Sequence, residues 1–381
     1  MRFDTMILTL AFRNLFHDRV RLAVTLIGIL FSIVLVAVQL GLYLGSSRMI
    51  TANIDHANGE LWVTTFGAKS FEDGGTLLKS GERHQALATP GVADVVPIVV
   101  SFAEWRRPSG GSTRVVVVGT DPEDGGLVPW AVRYGSWEEV KSPDGVAVDA
   151  SYLRDLDISG IGDTAQVSAG RVRVKALTEG VRSFTQSPYV YTTLARARHL
   201  LAESSDATSF LLIKLKPGAN VEAVRQDLKR RLESAEVLTK EEFRDRSLTT
   251  WLFKTGAGVA LIGGALLGLL VGTVIVAQTL YSSTKDHLNE FATLRALGSS
   301  SGYIHKVILG QAGLSAVIGY VLGMIIAMAV VFASRDSPLP LVMTPSLAAG
   351  LFAITLFMCA ISALSAIMKV TKIDPAMVFN R

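Results

Sequence analysis

Four long apolar runs interrupt an otherwise mixed chain, at 22–44, 256–280, 307–333 and 345–368. Each exceeds the roughly 20 residues that carry a helix across ~30 Å of hydrocarbon, and none has a charged residue inside it. They predict four membrane-spanning helices. The region between the first and second runs has shorter periods. Residues 61–66, 95–102, 114–119, 165–168 and 210–215 are rich in β-branched residues and bounded by turn formers, which predicts strands. Residues 79–88, 193–202 and 219–232 have helical spacing, with Pro217-Gly218 separating a strand from the last of them. The pattern is that of an α+β domain. Residues 240–253 are charged and helical and meet no Pro or Gly before Gly256, which predicts one continuous helix into the second run.

The resulting segmentation is a cytoplasmic amphipathic helix (1–21), TM1 (22–45), a large α+β extracytoplasmic domain (46–250), TM2 (251–280), a cytoplasmic loop (281–306), TM3 (307–333), a short external loop (334–345), TM4 (346–368) and a cytoplasmic tail (369–381). The fold class is thus an α-helical membrane protein with four transmembrane helices per protomer and a large domain inserted between the first two. The first run is longer than a signal-peptide core, and residues 39–43 offer no small-residue cleavage site, so it reads as an uncleaved anchor.

Basic residues set the orientation. Arg2, Arg13, Arg19 and Arg21 precede the first run, Lys285, Arg295 and Lys306 lie between the second and third, and Lys369, Lys372 and Arg381 follow the fourth. The loop between the third and fourth holds only Arg335. Both termini and the 281–306 loop are therefore expected in the cytoplasm. Composition agrees with a membrane protein: of 381 residues 49% are hydrophobic and 18% charged, and mean hydropathy is +0.39. The isoelectric point near 9.1 reflects topology. No basic motif interleaved with aromatics points to nucleic acid. The single cysteine, Cys359, excludes an intrachain disulfide.

Two patterns bear on mechanism. Gly256, Ala260, Gly264, Gly268 and Gly272 place a small residue at every fourth position of the second run. Such a ridge lets another helix approach backbone to backbone in lipid. Packing within the protomer and a dimer interface both fit it. In the 281–306 loop, Leu288, Phe291, Leu294 and Leu297 make one apolar helical face, with Asp286, Glu290 and Thr293 to another side and Gly298 as a stop. A helix resting on the membrane surface also fits this pattern.

Here the chain resembles a family. Glu290-x-x-x-Leu294-Arg295-Ala296-Leu297-Gly298 is similar to the coupling-helix motif of FtsX-like ABC permeases, the group containing MacB, the LolC/LolE pair and DevC. Arg13-Asn14-Leu15, Arg19-x-Arg21 and Thr25-Leu26-x-Gly28-Ile29 resemble its amphipathic helix and first-span entry, and 372–376 resembles its tail. Val118-Gly119-Thr120-Asp121-Pro122 and Gly162-Asp163 resemble landmarks of the MacB-type periplasmic domain. His287-Leu288-Asn289 stands where many relatives carry a basic cluster.

The resemblance implies a non-catalytic permease subunit that works as a dimer, with a second copy or a homologous permease. Its partner is a cytoplasmic ABC ATPase dimer. No cofactor is expected in this chain, which lacks a G-x-x-x-x-G-K-[ST] loop; ATP and Mg would be bound by the ATPase. Lys285, Glu290, Phe291, Leu294, Arg295, Leu297 and Gly298 would form the ATPase-coupling site, and Arg13, Arg19 and Arg21 would hold a membrane-surface helix against anionic lipid. A periplasmic adaptor is a further implied partner. The implied function is ATP-driven movement of the outer domain that exports or extracts a lipid, peptide or hydrophobic small molecule from the inner membrane. The alternatives are an FtsX-like regulator of an envelope hydrolase and an ion-coupled secondary transporter. The latter usually needs an ionisable group near mid-membrane, and the spans offer only Ser32, Gln39, Gln278 and Gln311 as notable polar groups, most of them near the ends. The chain lacks H-E-x-x-H, and its six histidines have no ligand spacing. Asp155 and Asp157 read as turn-capping residues, and Trp62, Phe66, Trp105 and Trp130 as core before docking surface.

Overall fold

A computed structural model describes the chain except residues 1, 79–80, 122–125, 169, 288–289, 291–292, 294–298, 336, 338 and 371–381. The chain forms two compact units. One comprises Met1–Leu44, Val259–Arg335 and Pro340–Arg381; the other comprises Gly45–Gly258 with Asp336–Leu339.

The first unit is helical. Helix α1 (Arg2–His17) ends where Asp18 caps α2 (Arg19–His56), its carboxylate accepting from the Arg21 backbone N–H at 3.1 Å. The other long helices are α8 (Ala257–Asp286), α9 (Ser301–Ala333) and α10 (Pro345–Val370). Among the described residues, four helices are long and apolar enough to cross a membrane: α2, α8, α9 and α10. Within this unit α2 touches the other three. A Cβ built at Gly319 or Gly323 of α9 would meet Ile29 at 2.5 Å or Ile33 at 2.9 Å. The Ser32 hydroxyl of α2 donates to the Gly268 carbonyl of α8 at 2.8 Å and also lies 3.7 Å from Met358 Sδ of α10. Small residues thus bring backbones close where hydrophobic contrast with lipid gives no drive.

The second unit is built on a mixed sheet. Its strands are β1 (Leu61–Thr65), β2 (Val92–Arg106), β3 (Ser112–Gly119), β4 (Val132–Gly135), β5 (Gly145–Asp149), β6 (Thr164–Val167), β7 (Gly170–Thr178), β8 (Tyr189–Thr192), β9 (Phe210–Leu215) and β10 (Ala235–Thr239). The spatial order is β10-β1-β9-β2-β3-β8-β5-β7-β4, with β6 pairing β2 and β7. The 15-residue β2 joins the two halves: its first part pairs β9 and its last part pairs β3. Short helices lie between strands: α3 (Glu82–Leu87), α4 (Trp137–Val140), α5 (Leu194–Leu200), α6 (Val221–Arg231) and α7 (Lys240–Leu248).

Side-chain alternation along the strands feeds separate cores. On β1, Leu61 and Val63 join a cluster with Val224 and Leu228 of α6, while Trp62 points to the other face. On β3, Val115 and Val117 pack with Trp105, whereas Val116 and Val118 join Trp62. Each face is covered, which is why β1 is buried at every position. Ile54 of α2 and Phe243 of α7 belong to the Trp62 core, and the Trp62 and Phe243 ring centroids lie 5.2 Å apart.

The helix expected from 240 onward is interrupted. After α7 the backbone widens to a π-helical turn, Thr249–Lys254, and Gly256 takes φ +82 before α8 begins. That left-handed conformation is natural for glycine and breaks the helix.

Candidate functional site

The cytoplasmic loop expected to carry the coupling helix is reached through the end of α8. Lys285 and Asp286 are exposed on its last turn, and Glu290 and Thr293 are exposed helical residues beyond it. Phe291, Leu294, Arg295, Leu297 and Gly298 lie outside the described residues. His287 Nδ1 stands 3.1 Å from a Glu290 carboxylate oxygen, one helical turn away, and Glu290 remains 64% exposed. An acidic group that is locally oriented yet open to solvent can still accept a partner's cation.

The corner between α1 and α2 braces this hairpin. Arg21 forms an ion pair with Asp286 and a second with Asp18 at 3.3 Å, and the His17 and His287 rings sit edge to face at 6.3 Å. This places Arg21 differently from the expected membrane-surface helix. Helix α1 ends at His17, and Arg19 and Arg21 both belong to α2. Arg13 and Arg19 are exposed. On α1 the Phe12 and Phe16 rings meet tilted, centroids 4.4 Å apart, on an exposed side, while Ala11 is buried against Gly310 of α9. The family resemblance suggests an amphipathic helix here, but Arg21's partner, 265 residues away in sequence, leaves no signal.

The small-residue ridge also acquires a definite partner. Built Cβ atoms at Gly264, Gly268 and Gly272 would fall 2.5 Å, 3.0 Å and 2.5 Å from Gln39, Leu35 and Ser32 of the same chain. These glycines therefore serve packing of α8 on α2 within the protomer, and their faces are filled. Ala260 is exposed and outside this contact. Gly256 is not on the ridge at all: it precedes α8 with φ +82 and nothing within 4 Å of a Cβ. The i, i+4 spacing alone did not separate a ridge position from a helix break.

In the sheet unit the expected landmarks are structural. Gly119 admits α5, since its Cβ would lie 2.2 Å from Ala197 Cβ, and Asp121 accepts from the Leu194 N–H at 3.2 Å to cap that helix. Asp163 accepts from the Ser159 and Gly160 amides in a turn, and Asp157 accepts from Ser109 N–H at 2.7 Å; hydrogen bonding from the Ser109 side chain, then from its N–H, holds the Asp157 carboxyl below the usual range. Trp62 and Trp105 are fully buried, Trp130 packs on a core, and Phe66 is 63% exposed.

A buried polar network, missed in the sequence, surrounds the end of α2. Asn53 accepts from the Tyr191 hydroxyl at 2.7 Å. Glu72 accepts from the hydroxyls of Ser183, Thr185 and Tyr189. Burial raises the Tyr191 phenol well above its ordinary value, against the hydrogen bond to Asn53 that lowers it. Burial likewise raises Tyr189, with the charge of Glu72 acting in the same direction. Both phenols are held as neutral donors. Arg182 donates to Ser151 at 3.2 Å and to the Ser337 carbonyl at 2.6 Å, both within the sheet unit. Isolated polar residues such as these carry no spacing pattern that could have announced them.

Comparison with known proteins supplies the lineage. The family model for the MacB-like periplasmic core domain matches residues 22–231, and that for the FtsX-like permease C-terminal region matches residues 262–375. The chain is 24% identical over 362 residues to the ABC transporter permease Rv2563 of Mycobacterium tuberculosis, covering 95% of both chains. It is 22% identical over 189 residues to the ABC transporter permease MJ1507 of Methanocaldococcus jannaschii, covering 46% of this chain and 45% of that one. Among solved structures it is similar to the periplasmic region of MacB from Actinobacillus actinomycetemcomitans, with TM-score 0.38, 14% identity, and 52% of this chain and 94% of that one covered. It is also similar to the extracellular domain of the transporter YknZ from Gram-positive bacteria, with TM-score 0.34, 12% identity, and 47% and 98% covered. With its four apolar helices and the sheet domain inserted after the first of them, this multi-pass membrane chain belongs to the family of ABC transporter permeases that join a MacB-like periplasmic core domain to an FtsX-like permease region.

Proposed function

We propose that the chain is the permease subunit of an ABC transporter in the inner membrane, with both termini cytoplasmic. A separate ATPase dimer grips the hairpin between α8 and α9, and nucleotide-driven closure there displaces the extracytoplasmic sheet domain. The cargo class is a lipid, a peptide or a hydrophobic small molecule taken up on the far side and pushed onward. A second copy or a homologous permease completes the assembly, and a periplasmic adaptor would receive the cargo.

The observation that supports this most strongly is the exposed Glu290 beside His287, just past the end of α8, where Arg21 pairs with Asp286. An apolar face with one acidic and one basic residue, Glu290 and Arg295, suits a groove on a partner in which greasy residues seat and charges set register. Because the ridge glycines of α8 are filled by α2, a second protomer would meet other surfaces, such as the exposed apolar residues Leu266, Leu270 and Val274 of α8.

The test is co-purification with the ATPase and measurement of its turnover. Stimulation by the permease, lost in Glu290→Lys and in Leu294→Asp, is expected. Transport by the isolated chain on an ion gradient alone would overturn the reading.

A further inference from the structure

Two chain connections lead from the sheet unit to the apolar helices on either side of its 205-residue core segment 46–250, and they differ in kind. Helix α2 is unbroken over 38 residues, Arg19–His56, about 57 Å at 1.5 Å per residue. The other connection, from α7 to α8, passes through a π-helical turn and a positive-φ glycine.

The far end of α2 is held by several independent contacts. Lys240, the first residue of α7, donates from Nζ to the Asp55 carbonyl at 2.8 Å and to the Ala57 carbonyl at 3.0 Å. Carbonyls at the end of a helix lack intrahelical partners and carry the negative end of its dipole, so an ammonium there is doubly suited. Arg244, one turn further along α7, reaches Asp55 at 3.8 Å. The His56 ring stacks on Trp130 at 3.9 Å and 3°, and Asn53 takes the Tyr191 hydroxyl of β8. Helix α7 is itself fixed, by Arg246 to Glu236 of β10 at 2.6 Å and by the Glu242 carboxylate to Arg225 of α6.

From this geometry we infer that Lys240 is a positioning residue that locks the end of α2 to the start of α7, so that displacement enters the sheet unit along α2 while 249–256 bends. The inference rests on the transport reading above and deepens it by assigning the route of the motion. A single continuous helix through residues 240–280 would give the opposite route.

The experiment uses the full-length chain in lipid nanodiscs with its ATPase, in a Cys359→Ala background. Spin labels at exposed positions 48 of α2 and 245 of α7 report the lock, and labels at 245 and 262 span Gly256. Without nucleotide, Lys240→Met is expected to widen the 48–245 distance distribution at least twofold, and Lys240→Arg to restore it. A merely structural loss would not be rescued by charge. With ATP, the 48–245 distance is expected to stay constant in the native sequence while the 245–262 distance shifts. If Lys240→Met fails to fold, Tyr191→Phe, which deletes one hydroxyl from the same attachment, is expected to widen the 48–245 distribution.

A distribution as narrow in Lys240→Met as in the native sequence overturns the lock. So does an ATP response confined to the 48–245 pair. The nucleotide-free arm stands by itself: a chain that shows the lock but no response to ATP contradicts the transport reading and supports the lock.

Discussion

Glycine 272 shows how much one hydrogen atom can matter inside lipid. Its missing Cβ is where Ser32 of α2 sits, 2.5 Å away, with Met358 Sδ at 2.9 Å. Gly272→Ala is expected to destabilise the helical unit by about 1–3 kcal/mol, the usual cost of overpacking. Gly263, with nothing within 4 Å of its Cβ, is the control, and Gly263→Ala is expected to change little. Thermal unfolding in detergent compares the two.

Glu242 gives a pH-dependent counterpart outside the membrane. Burial works to raise its pKa, but the Thr239 N–H and Arg225 outweigh it and hold the group below the ordinary 4.5. A folded-state pKa below the unfolded one contributes stability above pH 4.5 that is lost as pH falls through the lowered value. The melting-temperature gap between the native chain and Glu242→Gln is therefore expected to narrow as pH drops below 4.5. The ridge was readable from spacing, yet the partner of each glycine was not, because spacing records that a helix is approached and not by which neighbour.

At the level of elements, the spans were legible because a charge-free run of helical length has few other fates. Strands β1, β3, β6 and β9 were legible for a similar reason, as turn formers bounded their β-branched runs. Strand β7 was overlooked although Arg171, Val172, Arg173 and Val174 alternate cleanly. Strand β8 is four buried residues with no polar alternation to mark it. The break before α8 was the main miss. A glycine at the edge of an apolar run reads equally well as first ridge residue or as hinge, and only backbone geometry separates them. Gly256→Ala forces a side chain into φ +82, so it is expected to cost about 1–2 kcal/mol or to shift the bend. Hydrogen exchange across 249–258 reports which occurs. Trp62 tests the other end of the scale: it is fully buried among Phe71, Phe210 and Phe243, and Trp62→Ala is expected to lose about 3–5 kcal/mol from the sheet unit, read from its thermal transition in the full-length chain.

For the molecule as a whole, the division of labour follows from which groups each unit can satisfy. The helical unit closes its backbone hydrogen bonds within each span, as lipid requires, and gathers charges at the corner of Arg21, Asp286, His287 and Glu290. The sheet unit buries the Tyr191–Asn53 pair and ties Lys240 to the carbonyls at the end of α2. Family membership was legible because the motif residues stand in an otherwise featureless polar gap, whereas the attachments that would transmit force join residues over 100 positions apart. The most direct test of the central claim is the ATP turnover of the reconstituted ATPase–permease complex with the native hairpin and with Glu290→Lys. The account predicts that the substitution lowers permease-stimulated turnover by about tenfold or more, the effect of ~1.4 kcal/mol, with the chain still folded in the membrane. Stimulated turnover equal to that of the native complex would contradict it.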